Sequence, residues 1–96
     1  MGSYEVSRRW RKGHTLEIDM PDDVRRLKGM LAEEIIKILE KHEMSNEEAA
    51  EFTGIEKGAF SRIRNGKFWG MTVGRLIGVI NELGSRVTVA IDVREE

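Results

Sequence analysis

Side chains suited to grip an anion are concentrated between residues 57 and 75, a stretch that contains no aspartate or glutamate. Within it, "EKGAFSRIRNGK" (residues 56–67) supplies Lys57, Arg62, Arg64 and Lys67 as cationic donors, with Ser61 and Asn65 as neutral ones. At about 100° per residue, Ala59, Phe60 and Ile63 fall on one side of a helix, Lys57, Ser61 and Asn65 share the other, and Arg62 and Arg64 flank that second row. A solvated helix face ordinarily mixes its signs, so a donor face without acid is arranged to meet negative charge.

Other chemistry is poorly served. His14 and His42 are far apart and lack ligand partners at regular spacing, and there is no cysteine, so neither a metal site nor a disulfide is expected. The glutamates suit solvated helix faces, and nothing places a nucleophile or base in a cleft; no enzyme and no cofactor are expected. The methionines and the valine stripe read as core. With no signal-like or membrane-spanning apolar run, a cytoplasmic protein without a membrane partner is the simplest expectation.

The chain has 96 residues, 40% of them hydrophobic, which suits one small domain with a limited core, for which dimerisation is a common remedy. A net charge of −1 and a pI near 6.2 exclude indiscriminate nucleic-acid binding through bulk positive charge. The charge is polarised instead. Glu33, Glu34, Glu40, Glu43, Glu47, Glu48 and Glu51 concentrate acid in one stretch, while Arg8, Arg9, Arg11 and Lys12 form a basic head and residues 57–75 a basic middle.

The elements that must position the donor face carry their own punctuation. "SRRWRKG" reads as an exposed arm with Trp10 as its one aromatic anchor, and "TLEIDM" alternates Leu16, Ile18 and Met20 like a short strand. Val24, Leu27, Leu31, Ile35, Ile38 and Leu39 recur at helical spacing over 22–41, behind Pro21 and Asp22. "SNEE" predicts a capping box from Ser45 to Glu48 that opens a helix running to Thr53 and stopped by Gly54. A third helix over 56–65 is closed by Gly66, and a fourth runs from a Thr72 cap through Val73, Leu76, Ile77, Ile80 and Leu83 to Gly84. "RVTVAIDV" then alternates Val87, Val89, Ile91 and Val93 against Arg86, Thr88, Ala90 and Asp92, predicting a strand that needs a neighbour, either residues 15–20 or the same strand of a second subunit. No tandem repeat or low-complexity linker is present.

The run "SNEEAAEFTGIEKGAFSRIRNGK" resembles the helix-turn-helix core of the XRE family, the phage-repressor-like DNA-binding proteins. Ala50 corresponds to the small residue of the first motif helix, Gly54 to the turn glycine, Phe60 and Ile63 to core positions of the recognition helix, and "NGK" to its exit. The size and layout of the chain resemble the antitoxin branch of that family, the HigA-like antitoxins of type II toxin-antitoxin systems.

This resemblance implies a mainly α fold: a small lambda-repressor-like helix-turn-helix bundle of four or more helices, with a C-terminal β-strand paired in a dimer. It divides the chain into a basic arm and short extended segment (1–20), the DNA-binding domain (21–84) and a dimerising strand and tail (85–96). A sequence-specific repressor is implied, binding a palindromic operator in double-stranded DNA as a homodimer and neutralising a cognate toxin. Lys57, Ser61 and Arg62 would read or approach bases, with Gly58 permitting close backbone approach. Arg64, Asn65, Lys67 and Asn46 would hold phosphate. Val87, Val89, Ile91 and Val93 would dimerise, and Arg8, Arg9, Trp10, Arg11 and Trp69 would touch a toxin or the minor groove. The chain departs from the pattern at Glu56, where a short hydroxyl residue is usual, at Gly58, and at the "FWGM" loop. Glu56, the overall acidity and the aromatic "FW" pair motivate the rival expectation, an interaction module that keeps the fold and binds a toxin or regulator without reading DNA.

Overall fold

The computed structural model describes residues 21–95. The basic arm with Arg8, Arg9, Trp10, Arg11 and Lys12, and the short strand expected at 15–20, lie outside the described residues. The first helix, α1 (Asp22–Lys41), begins behind Pro21, whose carbonyl accepts from the N–H groups of Val24 and Arg25 at 3.0 and 3.1 Å. Asp22 and Asp23 in its first turn and Lys41 in its last complement the helix dipole. Leu31, Ala32, Ile35 and Leu39 are buried, and Leu27, Ile36 and Ile38 pack half-buried beside them. Lys28 shares that stripe at only 3% exposure, its stem among apolar neighbours and its Nζ donating to the Trp69 carbonyl at 2.9 Å.

Helix α2 (Asn46–Thr53) opens with the expected capping box: Ser45 N donates to Glu48 Oε1 at 2.8 Å, and Glu48 N donates to Ser45 Oγ at 3.0 Å. Gly54 adopts a left-handed φ of 80°, and its N–H donates to the Ala50 carbonyl at 2.8 Å. The Thr53 hydroxyl braces the turn, donating to the Ala49 carbonyl at 2.7 Å and accepting from Ile55 N at 3.1 Å. Helix α3 (Lys57–Arg64) follows with Glu56 and Asn65 as its caps, so the residues predicted as its ends stand one position outside it. Helix α4 (Val73–Glu82) starts at Thr72, whose Oγ1 accepts from Arg75 N at 3.0 Å.

Helix α1 packs on α4 and α3, while α2 packs on α3. Their shared core includes Ala59, Phe60 and Ile63 from α3, Leu76, Val79 and Ile80 from α4, and Ala49 from α2. Ala49 is fully covered and Ala50 half-buried, so the small residue that α2 buries is the one before that singled out in the motif.

Three of the helices end in one geometry, a left-handed residue followed by an N–H that reaches back across five residues. Lys67 N donates to Arg62 O at 2.8 Å, Ser85 N to Ile80 O at 3.1 Å, and Met44 N to Leu39 O at 2.9 Å. Glycine takes the left-handed position at Gly66 (φ 73°) and Gly84 (φ 93°), but after α1 it is Glu43, at φ 52°. A side chain with a Cβ is disfavoured there, so Glu43 stores a local cost that its two counterparts avoid.

The C-terminal strand expected from Val87, Val89, Ile91 and Val93 is absent among the described residues: 85–95 form no ladder. Val87 is half-buried against the core, while Val89, Ile91 and Val93 are 57, 82 and 86% exposed. The physical reason is pairing. A strand exists only when a second edge takes its backbone groups, and no described segment offers one.

Candidate nucleic-acid interface

Helix, turn and helix across residues 46–64 hold the donor face in place. Ala59, Phe60 and Ile63 are fully covered, which fixes the rotation of α3 and turns Lys57, Ser61, Arg62 and Asn65 outward as the wheel requires. The capping box and the Thr53 brace fix where α2 begins and where the turn leaves it.

The outward side chains are organised by local partners. Lys57 Nζ meets Glu47 Oε2 at 3.5 Å across the α2–α3 contact, and Arg62 Nη2 meets Glu56 Oε1 at 3.1 Å along α3. Glu47 is held below its ordinary carboxyl pKa by its backbone hydrogen bond and then by the charge of Lys57. Asn65 Nδ2 donates to the Ser61 carbonyl at 2.8 Å and lies 3.3 Å from Ser61 Oγ, closing the helix end. Gly58 leaves the surface of the first turn bare; a Cβ there would meet Arg62 Nη1 at 3.4 Å and Glu56 Oε1 at 4.0 Å.

Arg64 is placed differently from its neighbours. Its Nη2 donates to the Met44 carbonyl, so the guanidinium ties α3 to the connection between α1 and α2. Asn46 stands at the first position of α2, its Oδ1 buried without a hydrogen-bond partner.

Beside the donor face lies a groove lined by Arg62, Lys67, Gly70, Met71, Thr72 and Arg75. Among the described residues the side chains of Lys67 and Arg75 have no ion-pair partner. The N-terminus of α4 opens at Thr72, so backbone N–H groups and two unmatched cations converge, a combination that suits a phosphate oxygen. Sequence reasoning does not single out Arg75. Its signal is its position: a cation in the first turn of a helix opposes the dipole, so it is not there for the helix.

Trp69 is 38% exposed and lies against α1. Its ring centroid is 4.4 Å from that of Phe68, the Arg25 guanidinium stands 5.7 Å from its centroid, and its Cη2 is 3.9 Å from where a Cβ on Gly29 would sit. With Lys28 donating to the Trp69 carbonyl, the loop is clamped from its backbone and its ring. The sequence pointer to Lys28 is a lysine in step with an apolar stripe, four residues after Val24 and three before Leu31.

Among the described residues no helix is long and apolar enough to cross a membrane, and no three His, Asp or Glu side chains are grouped to hold a metal ion. No curated protein and no solved structure matches the chain. A family model described as a helix-turn-helix domain does match, over residues 14–92, and with that span covering most of its length the chain belongs to this helix-turn-helix family.

Proposed function

We propose that the chain is a sequence-specific DNA-binding repressor of the XRE type, a non-enzymatic protein acting as a homodimer on a palindromic operator. One observation carries this reading: an outward face of α3 that presents Lys57, Ser61, Arg62 and Asn65 beside the cationic groove of Lys67 and Arg75. A second motif helix lies in the major groove with its N-terminal residues near base edges. Lys57 and Arg62 would donate to guanine O6 and N7, and Ser61 would serve either base type. Lys67, Arg75 and Asn46 would take phosphates, while Arg64 positions α3 through Met44.

The homodimer part of the reading is supported by the row of exposed Val89, Ile91 and Val93, which a second copy could cover by pairing extended segments. An antitoxin role, with a toxin as protein partner, is supported by size and layout. Exposed Phe52 favours a protein partner as well, since at 62% exposure it is a large aromatic side chain left open beside a shallow groove with His42, Met44 and Glu51.

Selection of bound duplexes from a random pool at near-physiological salt tests the proposal. The expected result is an inverted repeat with half-sites about one helical turn apart. Ser61→Ala and Lys57→Ala should weaken that site more than unrelated duplexes, whereas Lys67→Ala should weaken all of them and reduce the salt slope by about 1. Parallel losses in all three would reject the assigned roles. Val89→Pro should shift the protein toward monomer in light scattering, and an unchanged dimer would reject the strand interface.

A further inference from the structure

Glu56 is the residue of the donor face that the proposed function leaves without a use. An acid at the first position before a recognition helix should repel phosphate, and as an N-cap it could at least accept from the backbone of its own helix. It does neither cleanly. Its side chain makes no capping hydrogen bond, and its carboxylate instead lies 3.1 Å from Arg62 Nη2, more than one turn along α3.

The pair lies beside Gly58, where an added Cβ would only touch it at van der Waals distance. The nearest atoms to a Cβ at this position would be Arg62 Nη1 and then Glu56 Oε1, so the guanidinium and carboxylate lie over the bare first turn of the helix. Both remain substantially open, their side chains 46 and 63% exposed. Only one guanidinium N–H is used on Glu56, and the carboxylate keeps unused lone pairs on both oxygens.

We propose that Glu56 and Arg62 form one reading head, in which Arg62 donates to guanine and Glu56 accepts from the N4 amino group of cytosine. The inference rests on the DNA-reading function proposed above and adds a base specificity to it. Arg62 makes the acid tolerable in the groove, because the pair enters nearly neutral where a lone carboxylate would meet the phosphate field. The carboxylate then supplies discrimination that donors cannot. Opposite thymine O4 or guanine O6 it sets acceptor against acceptor, and opposite adenine its second oxygen meets N7, whereas cytosine offers a donor without an adjacent acceptor. Lys57 and its Glu47 partner do not share this arrangement, since Glu47 stands on α2 and the longer 3.5 Å pair bridges two helices.

The test is duplex selection with the full chain as wild type, Glu56→Gln, Glu56→Ala and Arg62→Lys, followed by affinities for the selected site and its single-pair variants. The substitutions fall at exposed positions, and circular dichroism checks that folding is equal. Wild type is expected to require a cytosine at one position of each half-site, with about a ten-fold loss on replacing it. Glu56→Gln should move that one preference toward adenine, which a glutamine amide pairs through N6 and N7, and leave the other positions unchanged. Arg62→Lys should relax the guanine preference. If Glu56→Gln and Glu56→Ala instead tighten every duplex by the same factor, Glu56 is only a repelling charge and the reading head is wrong, while the repressor reading stands. If no variant and no wild-type pool enriches a site, the DNA-reading function falls and this inference with it.

Discussion

Helix α3 and the segment 86–95 both set apolar side chains against polar ones in a regular period, yet they meet opposite fates. Ala59, Phe60 and Ile63 are fully covered by neighbouring helices, whereas Val89, Ile91 and Val93 stand largely in solvent. A helix closes its own backbone hydrogen bonds and needs a neighbour only for its apolar face, which the same chain provides. An extended segment needs a neighbour for the backbone as well. The contrast separates a helix whose apolar face is covered within the chain from a segment whose apolar side chains stay exposed among the described residues.

The strongest way to break this contrast is truncation on each side of it. Phe60→Ala should cost about 3–5 kcal/mol in urea unfolding, and Ile91→Ala less than about 0.5 kcal/mol at concentrations where the chain is monomeric. Comparable losses would mean that the C-terminal segment is packed after all. Lys28→Met keeps the stem but removes the charge-assisted bond to the Trp69 carbonyl, so a loss of about 1–3 kcal/mol is expected, with a change in Trp69 fluorescence. A silent substitution would show that the loop is held by its rings alone.

Smaller effects sharpen the picture of the helix ends. Ser45→Ala removes one half of the capping box and should cost about 1 kcal/mol, measured as a shift in the urea midpoint without a change in slope. Glu43→Gly should do the reverse. Relief of the left-handed strain after α1 outweighs the extra chain entropy of glycine, and a gain of about 0.5–1 kcal/mol is expected. A loss there would mean that the carboxylate contributes something its backbone geometry does not reveal.

The donor face is partly legible in the order of residues. The helical wheel places Lys57, Ser61 and Asn65 outward because Ala59, Phe60 and Ile63 have to turn inward, and rotation follows from burial of one stripe. What each outward group touches is not legible there. Arg62 and Arg64 are two residues apart and chemically identical, yet one meets Glu56 on its own helix and the other the Met44 carbonyl twenty residues away in sequence. Arg75 joins Lys67 in one groove only because the loop after α3 returns the chain beside its end.

What the sequence determined by itself is therefore local: the four helices of the described residues, the capping box at Ser45, the Thr72 cap, the glycine stops, and most of the apolar stripes of α1, α3 and α4. These follow from residue types within a few positions of one another, because caps and helical hydrogen bonds reach across no more than five residues here. The tertiary structure alone decided the partners of Lys28, Arg64 and Trp69, the grouping of Arg62, Lys67 and Arg75, and the lack of a strand partner within residues 21–95. Those depend on which distant surfaces meet, and alternation along "RVTVAIDV" states a need for pairing without naming the edge that would meet it.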